Sequence, residues 1–180
     1  MQLDALENAL RLYGETAPGR PDADLFREFL HSAPRVFERD HASGHFTGSA
    51  WLVSADGARV LLTHHRKLDR WLQLGGHADG EMDLAQVALR EAGEESGLRN
   101  LRVEPAIFDL DRHRIPARAS EPEHWHYDVR YVVRAGADER FVINHESHAL
   151  AWRPAQEVAD DITLDASLRR MAHNWLARLL

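Results

Sequence analysis

Three carboxylates, Glu91, Glu94 and Glu95, crowd the end of one short segment, LAQVALREAGEES at positions 84–96. A helix C-terminus is the negative end of the backbone dipole and favours Lys or Arg by about 0.3–1 kcal/mol per charge, so this arrangement works against helix stability. At roughly 100° per residue, Leu84, Ala88, Glu91 and Glu95 fall within about 60° of one another, with Val87 and Glu94 flanking them. The acids therefore leave the helix on the side whose first half is apolar. Like charges one turn apart repel, and partial burial adds to the cost of ionisation. Protonation relieves that cost, and so does a bound cation. An all-carboxylate face suits a hard divalent ion with oxygen ligands, Mg²⁺ first among them. Glu91 and Glu95, one turn apart, are the best ligands, with Glu94 beside them. A solvated acidic helix end is the plain alternative, but several residues breaking a local rule together mark a functional site.

The elements that must position these acids can be read on either side. Asp83 followed by Gln86 is a capping pattern, and Gly97 is a C-terminal stop. Trp71 to Leu74 predicts a short strand running into Gly75-Gly76. SAWLVS (49–54) and ARVLLTH (58–64), separated by Ala55-Asp56-Gly57, predict a β-hairpin. AIFDLD (106–111), HWHYDVRYVVR (124–134), FVIN (141–144) and ALAW (149–152) predict further strands, and Pro154 to Val158 a helical turn. Asp165 caps a last helix carrying Leu168, Met171, Ala172, Trp175, Leu176 and Leu179. At the other end, Leu3, Leu6, Ala9, Leu10 and Tyr13 recur at helical spacing, as do Leu25, Phe26, Phe29 and Leu30 after a start signal at Pro21-Asp22. The link TAPGRPD is too short to call a domain boundary. Interleaved strands and helices give a mixed α/β domain, with helices covering a sheet.

The stretch from Gly76 to Leu98 resembles the Nudix box, G-x5-E-x7-R-E-U-x-E-E-x-G-U, where U is a bulky aliphatic residue. Gly76, Arg90, Glu91, Glu94, Glu95, Gly97 and Leu98 occupy matching positions. Met82 stands where the box has its first Glu, with Glu81 one residue earlier, and Ala92 is small where the family prefers a bulky residue. The resemblance implies an α/β/α sandwich with a mixed central sheet over residues 45–160. The helical spacing adds an N-terminal extension at 1–42 and a C-terminal helix at 161–180, all in one domain. The resemblance implies a hydrolase of a diphosphate linkage in a nucleoside diphosphate derivative, with Mg²⁺ or Mn²⁺ held by Glu91, Glu94 and Glu95 and by the backbone carbonyl of Gly75. A base from a late loop is also implied, for which Glu146 in NHESHALAW is the candidate. Glu81 is expected to brace the loop holding Gly75 and Gly76, through Arg90 or through the loop's backbone N–H groups. Isopentenyl diphosphate isomerases share the superfamily's fold, but their proton transfer uses a cysteine and this chain has none. A non-catalytic binding module usually erodes the RExxEE core, which is complete here.

Other groups are candidates for the substrate. HHRKLDR (64–70) places His64, His65, Arg66, Lys67 and Arg70 ahead of the glycines, as a phosphate clamp or an ordinary basic turn. His77 follows the glycines directly. Alternation along β-structure puts His124, His126, Asp128 and Arg130 on one face of their strand, where His126 and Asp128 would line a substrate cleft. The His-x-His pair could instead hold zinc, but no third ligand stands at the usual spacing. The twelve histidines are scattered along the chain and make no single cluster in sequence.

Composition bounds the partners. With 22 Lys+Arg against 29 Asp+Glu the net charge is −7, which argues against bulk affinity for nucleic acid. The absence of cysteine excludes disulfides, thiolate metal sites and a thiol nucleophile. The acidic, amphipathic N-terminus does not read as a signal peptide, and no apolar run approaches the ~20 residues of a membrane span. The expectation is a cytoplasmic enzyme acting on a small diphosphate, with a homodimer left open.

Overall fold

The computed structural model describes residues 2–16, 23–118 and 122–179. The start signal at Pro21-Asp22 and most of the TAPGRPD link lie outside the described residues. Two helices come first, α1 (Gln2–Thr16) and α2 (Ala23–Leu30), followed by β1 (Gly44–Val53), β2 (Arg59–His65), β3 (Arg70–Leu72) and β4 (Leu74–His77). The acid-bearing helix is α3 (Leu84–Ser96). After it come β5 (Arg102–Ile115), β6 (His124–Arg134), β7 (Ser147–Pro154), α4 (Ala155–Asp160) and α5 (Ala166–Arg178).

β1 is the hub of the sheet. It runs parallel to β6 from Gly44↔Trp125 to Val53↔Arg134, and antiparallel to β4 from Thr47↔His77 to Ala50↔Leu74. The path runs β3-β2-β1-β6-β5, with β4 also on β1 and β7 also on β2. The β1–β2 hairpin therefore exists only near its turn, at Val53↔Val60, after which β4 takes over the edge of β1. β1 begins five residues earlier than SAWLVS predicts, because β6 pairs with all of the glycine-rich GHFTG segment and Phe46 bonds on its other side to the Val36 carbonyl.

The alternation of β1 divides the core. Phe46, Ala50 and Leu52 pack with Val129, Tyr131 and Val133, with Leu84, Val87 and Ala88 of α3, and with Leu6, Leu10, Phe26 and Phe29 of α1 and α2. Trp51, Val53, Phe108 and Val132 turn to the other face, against Leu168, Met171 and Trp175 of α5. The result is helices on both sides of a mixed sheet. Phe29 stacks on Tyr127 with ring centroids 3.7 Å apart, so α2 is fastened directly to β6.

The predicted strand FVIN does not form. Residues 141–144 run as irregular chain, held by the Val142 N–H donating to the Ser96 carbonyl at 2.7 Å. Val142 and Ile143 are exposed, so the apolar run has no sheet partner to bury it.

Candidate functional site

α3 starts and stops where its caps dictate. The Asp83 side chain accepts from the Gln86 N–H, and Gly97 adopts a left-handed conformation (φ 70°) with its N–H donating to the Gly93 carbonyl. Between these ends the helix lies close on β1 and β4. A Cβ on Gly48 would stand 2.9 Å from the Leu84 carbonyl oxygen, and a Cβ on Gly76 would stand 2.6 Å from the carboxyl carbon of Glu91. Glycine at these positions lets the helix and its acids lie directly against strand backbone.

Glu95 is 5% exposed, and its Oε1 accepts from the Gly75 N–H at 2.8 Å. Burial pushes its carboxyl up to about 8, against that hydrogen bond and with help from the charges of Glu91, Glu146 and Glu94. Glu91 is also raised by burial, opposed by Arg90 and reinforced by Glu94 and Glu146. Glu94 is exposed at the helix end. The acids thus form one electrostatically coupled group, and the turn carrying Glu146 belongs to it. All donors are oxygens and two are shielded from water, a set that fits a hard divalent cation.

Arg90 bonds to the Glu91 carboxylate at 2.8 Å and to the His77 carbonyl at 3.0 Å. It does not pair with Glu81. Glu81 instead accepts from the Asp83 N–H at 2.9 Å, tightening the entry to α3. The loop after the glycines is clamped from elsewhere. The Arg39 guanidinium grips Asp79 through two hydrogen bonds, and the Gly80 N–H donates to the Phe37 carbonyl at 3.0 Å. Arg39 carried no sequence signal, because its partner lies forty residues away.

The basic segment is divided among several tasks. Arg66 donates to the carbonyls of His145 and Ser147 and its N–H to that of Glu146, so it braces the turn holding Glu146. This replaces its expected service as a free phosphate clamp. His65, Arg66, Lys67, His145 and Glu146 line a hollow there. Arg70 reaches Asp165, the cap of α5, at 3.9 Å.

Asp128 also differs from expectation. It is 1% exposed and accepts from Thr47 and Ser49 at 2.9 and 2.7 Å, from Arg130 at 2.7 Å and from Gln73 at 3.3 Å. Arg130 continues to Asp109, which Arg170 of α5 also binds. Asp128 is thus a member of a buried ionic network joining β1, β5, β6 and α5, rather than a free acid in an open cleft. α5 closes the far end of this network, where Arg170 pairs with Asp109 and Asp111.

The histidines do gather, contrary to their scatter in sequence. Parallel pairing sets His45 of β1 opposite His126, antiparallel pairing sets His113 of β5 opposite His126, and His77 of β4 lies opposite Thr47 on the same face. Ring centroids are 4.6 Å apart for His45–His126, 5.0 Å for His45–His77 and 5.2 Å for His77–His126. His124 lies 5.1 Å from His45. Burial drives the imidazolium forms out, lowering His45 to about 3 and His126 to about 2, with neighbouring histidines adding to both shifts. Sequence reading missed His45, whose strand partner is distant along the chain.

The NUDIX domain family model matches residues 45–175, most of the chain and most of α5, and the chain belongs to this family. Proteins from two strains of Mycobacterium tuberculosis, provisionally named 8-oxo-dGTP diphosphatase 3, are 33% identical over 110 residues. That match covers 58% of this chain and 49% of theirs, so the chain spans about half the length of the curated relatives it matches. A solved NUDIX-family hydrolase from Clostridium perfringens is 26% identical with a TM-score of 0.56, covering 76% of this chain and 98% of that one. An Ap4A hydrolase from C. elegans, at 16% identity and a TM-score of 0.59, covers 74% and 96% respectively and shares the fold. No helix among the described residues is long and apolar enough to cross a membrane.

Proposed function

We propose that this chain is a pyrophosphohydrolase that cleaves a diphosphate linkage in a nucleoside diphosphate derivative with Mg²⁺ or Mn²⁺. The observation that carries the reading is the buried Glu95 carboxyl, held by the Gly75 N–H beside Glu91 and raised by burial and by the neighbouring carboxylates. Glu91, Glu95 and Glu94 would hold the ion, with the Gly75 carbonyl as a further oxygen ligand. When bound, such an ion screens the diphosphate oxygens and acidifies water.

The protein's own groups supply the remaining tasks. Glu146, exposed on its turn and electrostatically coupled to the helix acids, accepts the proton from the attacking water. The water oxygen attacks phosphorus, the phosphorus–oxygen bridge bond breaks, and the electron pair leaves with the departing phosphate. Arg66 holds the Glu146 turn at its carbonyls. Arg90 steadies Glu91 and, through the His77 carbonyl, the glycine strand. The hollow at His65, Lys67 and Glu146 is where a substrate phosphate would enter. The acidic, cysteine-free composition suits work in the cytoplasm.

A hydrolysis screen with Mg²⁺ and with Mn²⁺ tests the reading. It should cover nucleoside diphosphate sugars, dinucleoside polyphosphates such as Ap4A, and nucleoside triphosphates including 8-oxo-dGTP. Release of phosphate products that depends on metal and is lost in Glu91→Gln and Glu95→Gln is expected. Binding of these compounds without turnover would make the chain a nucleotide-binding module instead.

A further inference from the structure

On the sheet face turned away from α3, four adjacent strands each present an imidazole at the same end. His77 comes from β4, His45 from β1, His126 from β6 and His113 from β5. We propose that His45, His77 and His126 form a second metal centre, one that takes a transition-metal ion, Zn²⁺ by chemistry, and is separate from the carboxylate site on α3.

Three observations carry this. One nitrogen from each of the three rings falls within a common span of 4.8 Å. Tetrahedral zinc with imidazole bonds of about 2.0–2.1 Å sets its ligand nitrogens about 3.3 Å apart, so small ring rotations close the site. His45 is 1% exposed, yet neither ring nitrogen has a hydrogen-bond partner. A buried imidazole without a partner is a standing cost, and an ion between the rings removes it. His124 adds the third observation. Its Nδ1 faces the Pro122 carbonyl at 2.9 Å and its Nε2 faces His126 Nε2 at 3.3 Å. A hydrogen-bonded neighbour that fixes the orientation of a ligating ring is how outer partners support metal sites, and His124 does this for His126.

Ligand type selects the ion. Imidazole nitrogen suits Zn²⁺, Cu²⁺ or Ni²⁺, whereas Mg²⁺ prefers the oxygens on α3. A phosphate clamp of charged imidazoles is the competing use of this cluster, but packing several cations in a buried site is self-defeating. His77 and His126 are only partly buried and His113 is 41% exposed, which leaves the ion a path from solvent and a fourth position open to water. The His77 carbonyl accepts from Arg90, the partner of Glu91, so one residue borders both centres.

The test uses untagged full-length protein, stripped with chelator and titrated with ZnCl₂ by calorimetry, with metal content checked by mass spectrometry. One Zn²⁺ per chain is expected. Affinity should fall at least about a hundredfold in His77→Ala and in His126→Ala. Because His45 is buried and its replacement would disturb the core, Co²⁺ loading supplies a second readout. Tetrahedral visible bands should appear in the wild type and in Glu91→Gln and Glu95→Gln, and vanish in His126→Ala. No stoichiometric zinc, zinc binding indifferent to His77→Ala and His126→Ala, or zinc lost on removing the helix carboxylates would each overturn the proposal.

Discussion

The backbone N–H of Gly75 donates to the Glu95 carboxyl at 2.8 Å, so a glycine strand and the last turn of a helix twenty residues later share one hydrogen bond. The carboxyl is only 5% exposed, and this bond does not offset its burial, since the group is still pushed up to about 8. A bound cation would relieve that cost.

Divalent metal should therefore stabilise the fold. A ligand bound only by the native state adds RT ln(1 + [L]/Kd), about 1.4 kcal/mol at tenfold excess over Kd. Melting in millimolar Mg²⁺ or Mn²⁺ should rise against a chelator control, and a melting temperature indifferent to both ions would count against a preformed site.

Glu95→Gln should separate charge from shape. The amide keeps the volume but cannot ionise, so metal-free protein should be as stable as wild type or more so. Metal-dependent turnover should fall by about a hundredfold or more, the scale of several kcal/mol of lost charge stabilisation. Near-normal turnover would remove Glu95 from the ligand set.

The pH dependence of metal-free stability follows from the same group. Glu95 holds its proton up to about 8 when folded but loses it near its ordinary value of 4.5 when unfolded. Between these values the folded state binds more protons, so its stability falls as pH rises, by at most about 1.4 kcal/mol per unit from this group. Urea denaturation in chelator at about pH 5 and about pH 8 should show a steeper loss in wild type than in Glu95→Gln. Parallel slopes would refute the assignment.

Gly76→Ala probes the closeness of helix and strand. The added methyl would sit 2.6 Å from the Glu91 carboxyl carbon, which must swing aside. Turnover and metal-induced stabilisation should drop by about tenfold or more in apparent affinity. The metal-free protein should lose no more than about 1 kcal/mol, because the contact is with the far end of a flexible side chain. Unchanged metal affinity would mean that Glu91 does not need its present position.

A double-mutant cycle distinguishes the partners of Arg90. Arg90→Lys combined with Glu81→Gln should be additive within about 0.3–0.5 kcal/mol, since Glu81 bonds to the Asp83 N–H. Arg90→Lys with Glu91→Gln should show coupling of about 0.5–1 kcal/mol, the modest size of a partly exposed pair. Coupling to Glu81 instead would reverse the two assignments.

Whatever depends on neighbours along the chain is written in the residues themselves. Capping by Asp83 and Gly97, the phase that puts Glu91 and Glu95 on the core side, and the extents of α3 and β6 all follow from local periodicity and backbone preference. FVIN shows the limit of such signals, because strand-forming residues make no strand without an edge to pair with. What lies across the sheet depends instead on how the strands pair. The parallel pairing of β1 with β6 joins residues some eighty positions apart, and it brings His45 to His126 and Thr47 to Asp128. No sequence period records such a pairing, since the register is fixed by burying both faces of β1 at once, against α3 on one side and α5 on the other. For the same reason Asp128 was legible as a polar-face acid beside Arg130, while its partners Thr47 and Ser49, and the histidines gathered beyond it, became visible only with the sheet assembled.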